Sequence, residues 1–215
     1  MKAKRIIIAA FFLLTPVSLF AAPGLCVKGT LANYIALGST GCTFEDSVFS
    51  NFAYELPPAP AASVSPEQIT VTPVPGPIIV GFFLGLNFSA NWAAGAGELS
   101  DTVIAYTVTP RPPVSTTSPG TITLDLGQIQ ILGLSGGVTV TQETNPGNLS
   151  VFEICTNGAC ALDGTDQLTF APVTTLQVTN VLTLNGGSGG VLLQLFAANY
   201  NLCSTCAQPG VARVK

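Results

Sequence analysis

Beyond residue 42, apolar and polar positions alternate with a period of two. This is the pattern of strands whose successive side chains point to opposite faces of a sheet. In "VFSNFAY" the alternation puts Val48, Phe52 and Tyr54 on one face and Asn51 and Glu55 on the other. The clearest case lies late in the chain, where Leu176, Val178, Leu182 and Leu184 oppose Gln177, Thr179 and Thr183. Similar runs are "QITVTP", "PIIVGFFLGLNF", "DTVIAYTVTP", "TITLDLGQIQIL", "GGVTVTQET", "LSVFEIC" and "VLLQLFA". "LPPAPAA" at 56–62 interrupts the series, because proline cannot donate to a ladder. "NGGSGG", between two strand-like runs, predicts a hairpin connection. Nine or ten short strands and no helix long enough for a crossover predict an all-β antiparallel β-sandwich of jelly-roll or Ig-like type, with a closed barrel as the alternative.

One short piece breaks the period. Between Cys26 and Cys42, "TLANYIALGSTG" reads as a helix that Thr30 caps, Leu31, Tyr34 and Ile35 anchor from one face, and Gly38 ends.

The first residues have a different character. "MKAKR" followed by "IIIAAFFLLTPVSLF" gives a positive start and an apolar run of about 15 residues, the length of a secretory h-region and short for a bilayer span. Small residues follow in "AAPGLC", so cleavage is expected between Ala21 and Gly24. An uncleaved anchor is the alternative. "PGL" before Cys26 lacks the order of a lipidation site. The expected organisation is a leader at 1–24, one β-sandwich domain at 25–202 and a tail at 203–215.

Without Lys2, Lys4 and Arg5, four basic residues (Lys28, Arg111, Arg213, Lys215) stand against eleven acidic ones, a net charge near −7. Binding to phosphate backbones requires clustered Lys and Arg, so nucleic acid is not an expected partner. Charged residues make up only 8% of the chain, which leaves solvation of the surface to Thr, Ser, Asn, Gln and Gly, as in extracellular β proteins.

All six cysteines follow the leader, and in an oxidising compartment they form disulfides. Proximity favours Cys26 with Cys42, Cys155 with Cys160, and Cys203 with Cys206 among fifteen formal pairings. A bridge across the helical piece closes a loop worth on the order of 3 kcal/mol in the chain-entropy picture. Four thiolates in "CTNGAC" and "CSTC" also offer a zinc alternative, and "CSTC" has redox CxxC spacing, but export and the missing βαβ context favour disulfides.

Histidine is absent, which removes Ser-His-Asp and Cys-His nucleophiles and His-ligated metals. Carboxylate chemistry remains, with Glu45, Asp46, Glu98, Asp101, Asp125, Glu143 and Glu153 as candidates for a glycosidase pair. The bland reading of Glu45 and Asp46 is a solvated turn. "DGTD" offers Asp163 and Asp166 as oxygen ligands to Ca²⁺, although an Asx-type turn explains the same residues. Trp92, the single tryptophan, is the candidate for stacking on a sugar ring, against a core role between sheets. Asn87 and Asn148 open N-x-S sequons, a short pattern that also arises by coincidence. No cofactor other than Ca²⁺ is expected.

"GCTFEDSVFSNFAY", "ITVTPVPGP", "LSDTVIAYTVT" and "LTFAPVTTLQVTNVLTLNGGSGG" occur in the same order as in a group of uncharacterised exported bacterial proteins, many with a PEP-CTERM sorting tail, which this chain resembles over roughly 26–200. The resemblance implies an extracellular or envelope-associated β-sandwich in exopolysaccharide-producing bacteria and no particular activity. The ending "AQPGVARVK" departs from the tailed members, which favours simple secretion over anchoring, with no stable membrane span after leader cleavage. Two functional readings follow. One is a non-catalytic protein of the extracellular matrix or envelope that touches polysaccharide, envelope components or copies of itself. The other is a carboxylate-dependent glycan-active enzyme.

Overall fold

A computed structural model describes residues 22–55, 64–75, 82–111, 121–144, 148–156, 159–163 and 165–203, with side chains placed for 22–55, 64–74, 84–111, 136–144 and 173–198. β1 (Gly24–Leu25) and β2 (Gly29–Thr30) lead into α1 (Leu31–Ala36). The Thr30 hydroxyl accepts from the Asn33 N–H at 3.2 Å, and Asn33 Oδ1 accepts from the Thr30 N–H at 3.1 Å, a reciprocal capping box. Leu31 and Tyr34 are buried, Ile35 packs against the core, and Gly38 leaves the helix with φ +54°. So short a helix is marginal alone and depends on tertiary packing. Tyr34 supplies that packing by meeting Phe52 edge-on at 5.0 Å.

β3 (Cys42–Phe44) and β4 (Ser47–Glu55) form a hairpin around Glu45 and Asp46. They are followed by β5 (Thr70–Pro75), β6 (Phe82–Ala94), β7 (Leu99–Pro110), β8 (Thr121–Thr144), β9 (Asn148–Thr156), β10 (Ala159–Asp163), β11 (Thr165–Val173) and β12 (Leu176–Cys203). Hydrogen bonding joins the strands in the order β1-β3-β4-β7-β12-β6-β5-β2, with β8 also on β12, β9 and β11 on β8, and β10 on β9. β1 and β3 are parallel, and the other pairs are antiparallel, so the sheet is mixed.

The path of β12 shapes the molecule. Its residues 176–185 pair with β7 and its residues 191–202 with β6, while β8 follows both stretches. Tyr106 pairs with Val178 and Phe88 with Phe196. Along a straight strand, positions as far apart as Val178 and Phe196 would be separated by about 60 Å. Yet the Phe88 and Tyr106 rings are 5.8 Å apart, so the sheet curls back and its two halves share one core. Tyr106 also stacks on Phe52 at 5.3 Å, and Phe88 on Phe196 at 4.7 Å, which joins α1, β4, β6, β7 and β12 through rings. Such pairs add about 0.5–1.5 kcal/mol each beyond area burial.

The β-rich expectation holds, but strands expected to be short and purely antiparallel form one curled mixed sheet that includes a parallel pair and strands of 24 and 28 residues, and the expected short helix spans only six residues. "NGGSGG" is not a hairpin: Asn185 to Gly190 lie inside β12, a strand of 28 residues, and β8 is likewise continuous over 24. Consecutive glycines relax the backbone enough to reverse a chain or to bend a strand, and the neighbouring segment selects the outcome. Here the β6–β7 turn lies against the bend. The Gly97 N–H donates to the Gly187 carbonyl at 2.7 Å, and the Gly186 N–H donates to the Glu98 carbonyl at 2.9 Å.

Alternation holds in β12, where Leu176, Val178, Leu182 and Leu184 are buried, but it fails in β4. Asn51 has φ +54°, and the register with β7 slips between Ser50 and Ala53. Phe49 and Phe52 are therefore both buried, Val48 and Tyr54 only partly so. A strict period of two misses Phe49, because a left-handed residue leaves no mark in hydrophobicity.

Candidate functional site

An open cleft lies where β5, β6 and β12 adjoin. Thr70 of β5 pairs with Ser89 of β6. On β12, Leu193 pairs with Trp92 and Leu195 with Ser89, so Gln194 alone stands opposite Ala90 and Asn91. One extra residue on one strand is a β-bulge, a device that re-aims side chains at the edges of sites. The bulge residues, Gln194, Ser89, Thr70, Gln68 and Val64 line an open cleft of about 400 Å³. Gln68 Oε1 accepts from the Ser65 N–H at 3.0 Å, which orders the turn before β5 and leaves the amide NH₂ as donor. Below the turn the Tyr54 hydroxyl donates to the Val64 carbonyl. Burial pushes that phenol's pKa up, partly offset by a hydrogen bond with Thr102. The lining is thus three amides, two hydroxyls and two apolar side chains, with no ionisable group.

Sequence reasoning did not reach these residues. The one signal was a polar Gln194 inside "VLLQLFA", which marks no site without the pairing between β6 and β12; "FSANW" alternates regularly, so the bulge at Ala90 and Asn91 leaves no trace in the hydrophobic pattern.

Trp92 does not present a face to solvent. It is 1% exposed, with its ring 5.8 Å from Phe196, so the proposed sugar contact at this residue is corrected to a core role. Of the small residues beside it, Ala93 and Ala94 end β6, and Gly95 and Gly97 lie in the β6–β7 turn that packs against the bend of β12.

The carboxylates are dispersed. Glu45 and Asp46 form the exposed two-residue turn of the β3–β4 hairpin, where Glu45 has φ +48°. Arg111 braces that turn, with its guanidinium donating to the Glu45 carbonyl at 3.0 Å and its N–H to the Asp46 carbonyl at 2.6 Å. Glu98 closes the β6–β7 turn by accepting from the Gly95 N–H at 2.9 Å. Asp101 and Glu143 are exposed on β7 and β8. Asp125 and Glu153 lie on β8 and β9, and their side chains fall outside the described residues. Glu67, next to the cleft in sequence, is exposed, and a hydrogen bond with Ser65 holds its carboxyl below the usual carboxylate range. Among the described residues, no group of three or more His, Cys, Asp or Glu could hold a metal ion. Asp163 ends β10 and Asp166 lies in β11; their side chains, and with them the Ca²⁺ expectation, fall outside the described residues. Asn87 is half-buried within β6, and Asn148 opens β9.

Of the cysteines, Cys26 and Cys42 form a disulfide with Cα atoms 4.9 Å apart, tying β1 to β3 across α1. Cys155 and Cys160 are Cα partners across β9 and β10. Cys203 ends β12 opposite Thr121, and Cys206 lies outside the described residues. Beside the disulfide a smaller groove of about 190 Å³ is lined mainly by apolar atoms, with Leu25 79% and Val27 67% exposed. The Tyr34 hydroxyl donates to the Val27 carbonyl at 2.8 Å, and burial raises the pKa of this phenol to about 12. No helix among the described residues is long and apolar enough to cross a membrane.

Comparison of the chain with family models, with curated proteins and with solved structures finds no match.

Proposed function

We propose that the protein is exported and works without catalysis in the extracellular matrix or envelope of the bacterium that makes it, where it holds polysaccharide. The placement of the carboxylates carries this reading. Glycoside hydrolysis needs two carboxyls facing each other across a sugar, one with a raised pKa. The described acids instead occupy a hairpin turn, the β6–β7 turn and exposed strand positions, and none lines the cleft. Glu67, the acid nearest the cleft in sequence, has its carboxyl pKa lowered, the opposite of what a proton donor to a leaving group requires. The Cys26–Cys42 bridge fits export, because disulfides persist in oxidising compartments. The β9–β10 register suits a second bridge, Cys155–Cys160, since directly opposed strand residues have Cα separations a disulfide can span.

The test is retention of the secreted protein on extracellular polysaccharide isolated from its own producer. Specific retention without release of reducing sugar is expected. Absence of retention, or turnover that a single Asp or Glu substitution abolishes, overturns the reading. Non-reducing peptide mapping of the same material checks the leader cut and the Cys155–Cys160 bridge.

A further inference from the structure

We infer that the cleft at the β6 bulge binds neutral, hydroxyl-rich saccharide units and discriminates against anionic glycans. This inference rests on the polysaccharide-holding reading above and assigns it a site and a ligand class.

Three features of the cleft point to that chemistry. Its volume of about 400 Å³ falls within the roughly 300–1,000 Å³ typical of small-ligand sites. Its polar lining is made mostly of groups that both donate and accept, Asn91 and Gln194 through amides and Thr70 and Ser89 through hydroxyls, with the Gln68 NH₂ as a further donor. Sugar hydroxyls also donate and accept, so each can engage such a lining without leaving an orphan donor or acceptor in the contact. Val64 and Ala90 supply apolar surface for the C–H face of a ring.

The charge distribution sets the class. A uronate or sulfate needs cationic partners, ideally the fork of an arginine. The described cations lie elsewhere: Lys28 lines the groove beside the disulfide, and Arg111 braces the β3–β4 turn. With the leader removed, the chain's net charge near −7 also repels polyanions at long range.

The bulge explains why the site is built rather than accidental. A regular ladder would oppose one β6 residue to Gln194. The extra residue brings both Ala90 and Asn91 opposite it and gathers two amides from separate strands into one cleft.

The test is binding of the full secreted chain to an array of neutral gluco-, galacto- and manno-configured oligosaccharides and of uronate-containing ones, alongside the producer's own polysaccharide. Asn91→Ala and Gln194→Ala are compared with wild type, and their thermal unfolding serves as the check on folding. Expected are binding to a neutral oligosaccharide that high salt leaves unchanged and a loss of about tenfold in each variant, the effect of one or two hydrogen bonds. Should a variant unfold, the milder Asn91→Asp and Gln194→Glu serve instead; their added charge is expected to weaken neutral binding as well. Binding only to uronates, neutral binding indifferent to these substitutions, or retention on the producer's polysaccharide without any array binding overturns the inference and leaves the broader reading standing. No binding to either array or native polysaccharide overturns both.

Discussion

Gly186 and Gly95 meet backbone against backbone: a Cβ added to Gly186 would lie 1.8 Å from the Gly95 carbonyl oxygen. The contact locks the bend of β12 against the β6–β7 turn and so sets how the two halves of the sheet close over Phe88 and Tyr106. Since the obstructing atoms are backbone, no rotamer change relieves the clash. Gly186→Ala is expected to destabilise by about 3 kcal/mol or more, at the upper end of overpacking effects. Gly24→Ala, with nothing within 4 Å of the added carbon, is expected to stay within about 0.5 kcal/mol of wild type. Urea unfolding of the two variants measures the contrast, and equal effects would refute it.

The Cys26–Cys42 bridge joins residues 16 apart in sequence. In the chain-entropy picture a loop of that length contributes about 3 kcal/mol. Unfolding of a Cys26→Ala/Cys42→Ala double variant is expected to show that loss in the denaturation midpoint. An unchanged midpoint would mean that α1 and β1 are held without the bridge.

Tyr34 sets an alkaline limit. Burial raises its pKa to about 12 from an ordinary value of 10.0, and the hydroxyl's hydrogen bond to the Val27 carbonyl requires the protonated form. The unfolded chain therefore loses this proton first. Stability is fully present below about pH 10 and declines as pH rises toward 12. Unfolding measured across this range, together with tyrosinate absorbance, should show the decline, and Tyr34→Phe should remove part of it.

Ser47 opens β4 with its hydroxyl buried and without a hydrogen-bond partner among the described residues. A buried orphan hydroxyl costs about 1–3 kcal/mol, and alanine fills nearly the same space. Ser47→Ala is expected to raise stability by about 1 kcal/mol in chemical denaturation. A loss of that size would reveal a partner for the hydroxyl.

Much of the local structure was legible. Thr30, Leu31, Tyr34 and Gly38 identify a capped helix, and they do cap, anchor and end one. Glu45 and Asp46 read as a turn and form one. The strand positions around Leu176 and Leu184 alternate as written. Errors arose where backbone conformation overrode the period: Asn51 changed the face of Phe49, and the bulge brought Ala90 and Asn91 opposite a single residue. The cleft was invisible in the sequence because Gln68, Asn91 and Gln194 come from segments far apart along the chain.

By itself the sequence determined the β character, the capped helix and the pairing of Cys26 with Cys42, because each depends on residues near one another along the chain. Only the tertiary structure decided that "NGGSGG" bends a strand rather than reversing it, that Trp92 is core, and that amides from β6 and β12 line one cleft. Those outcomes depend on which backbone segment comes to lie against another. Glycine and a lone tryptophan are compatible with either outcome until that neighbour is in place.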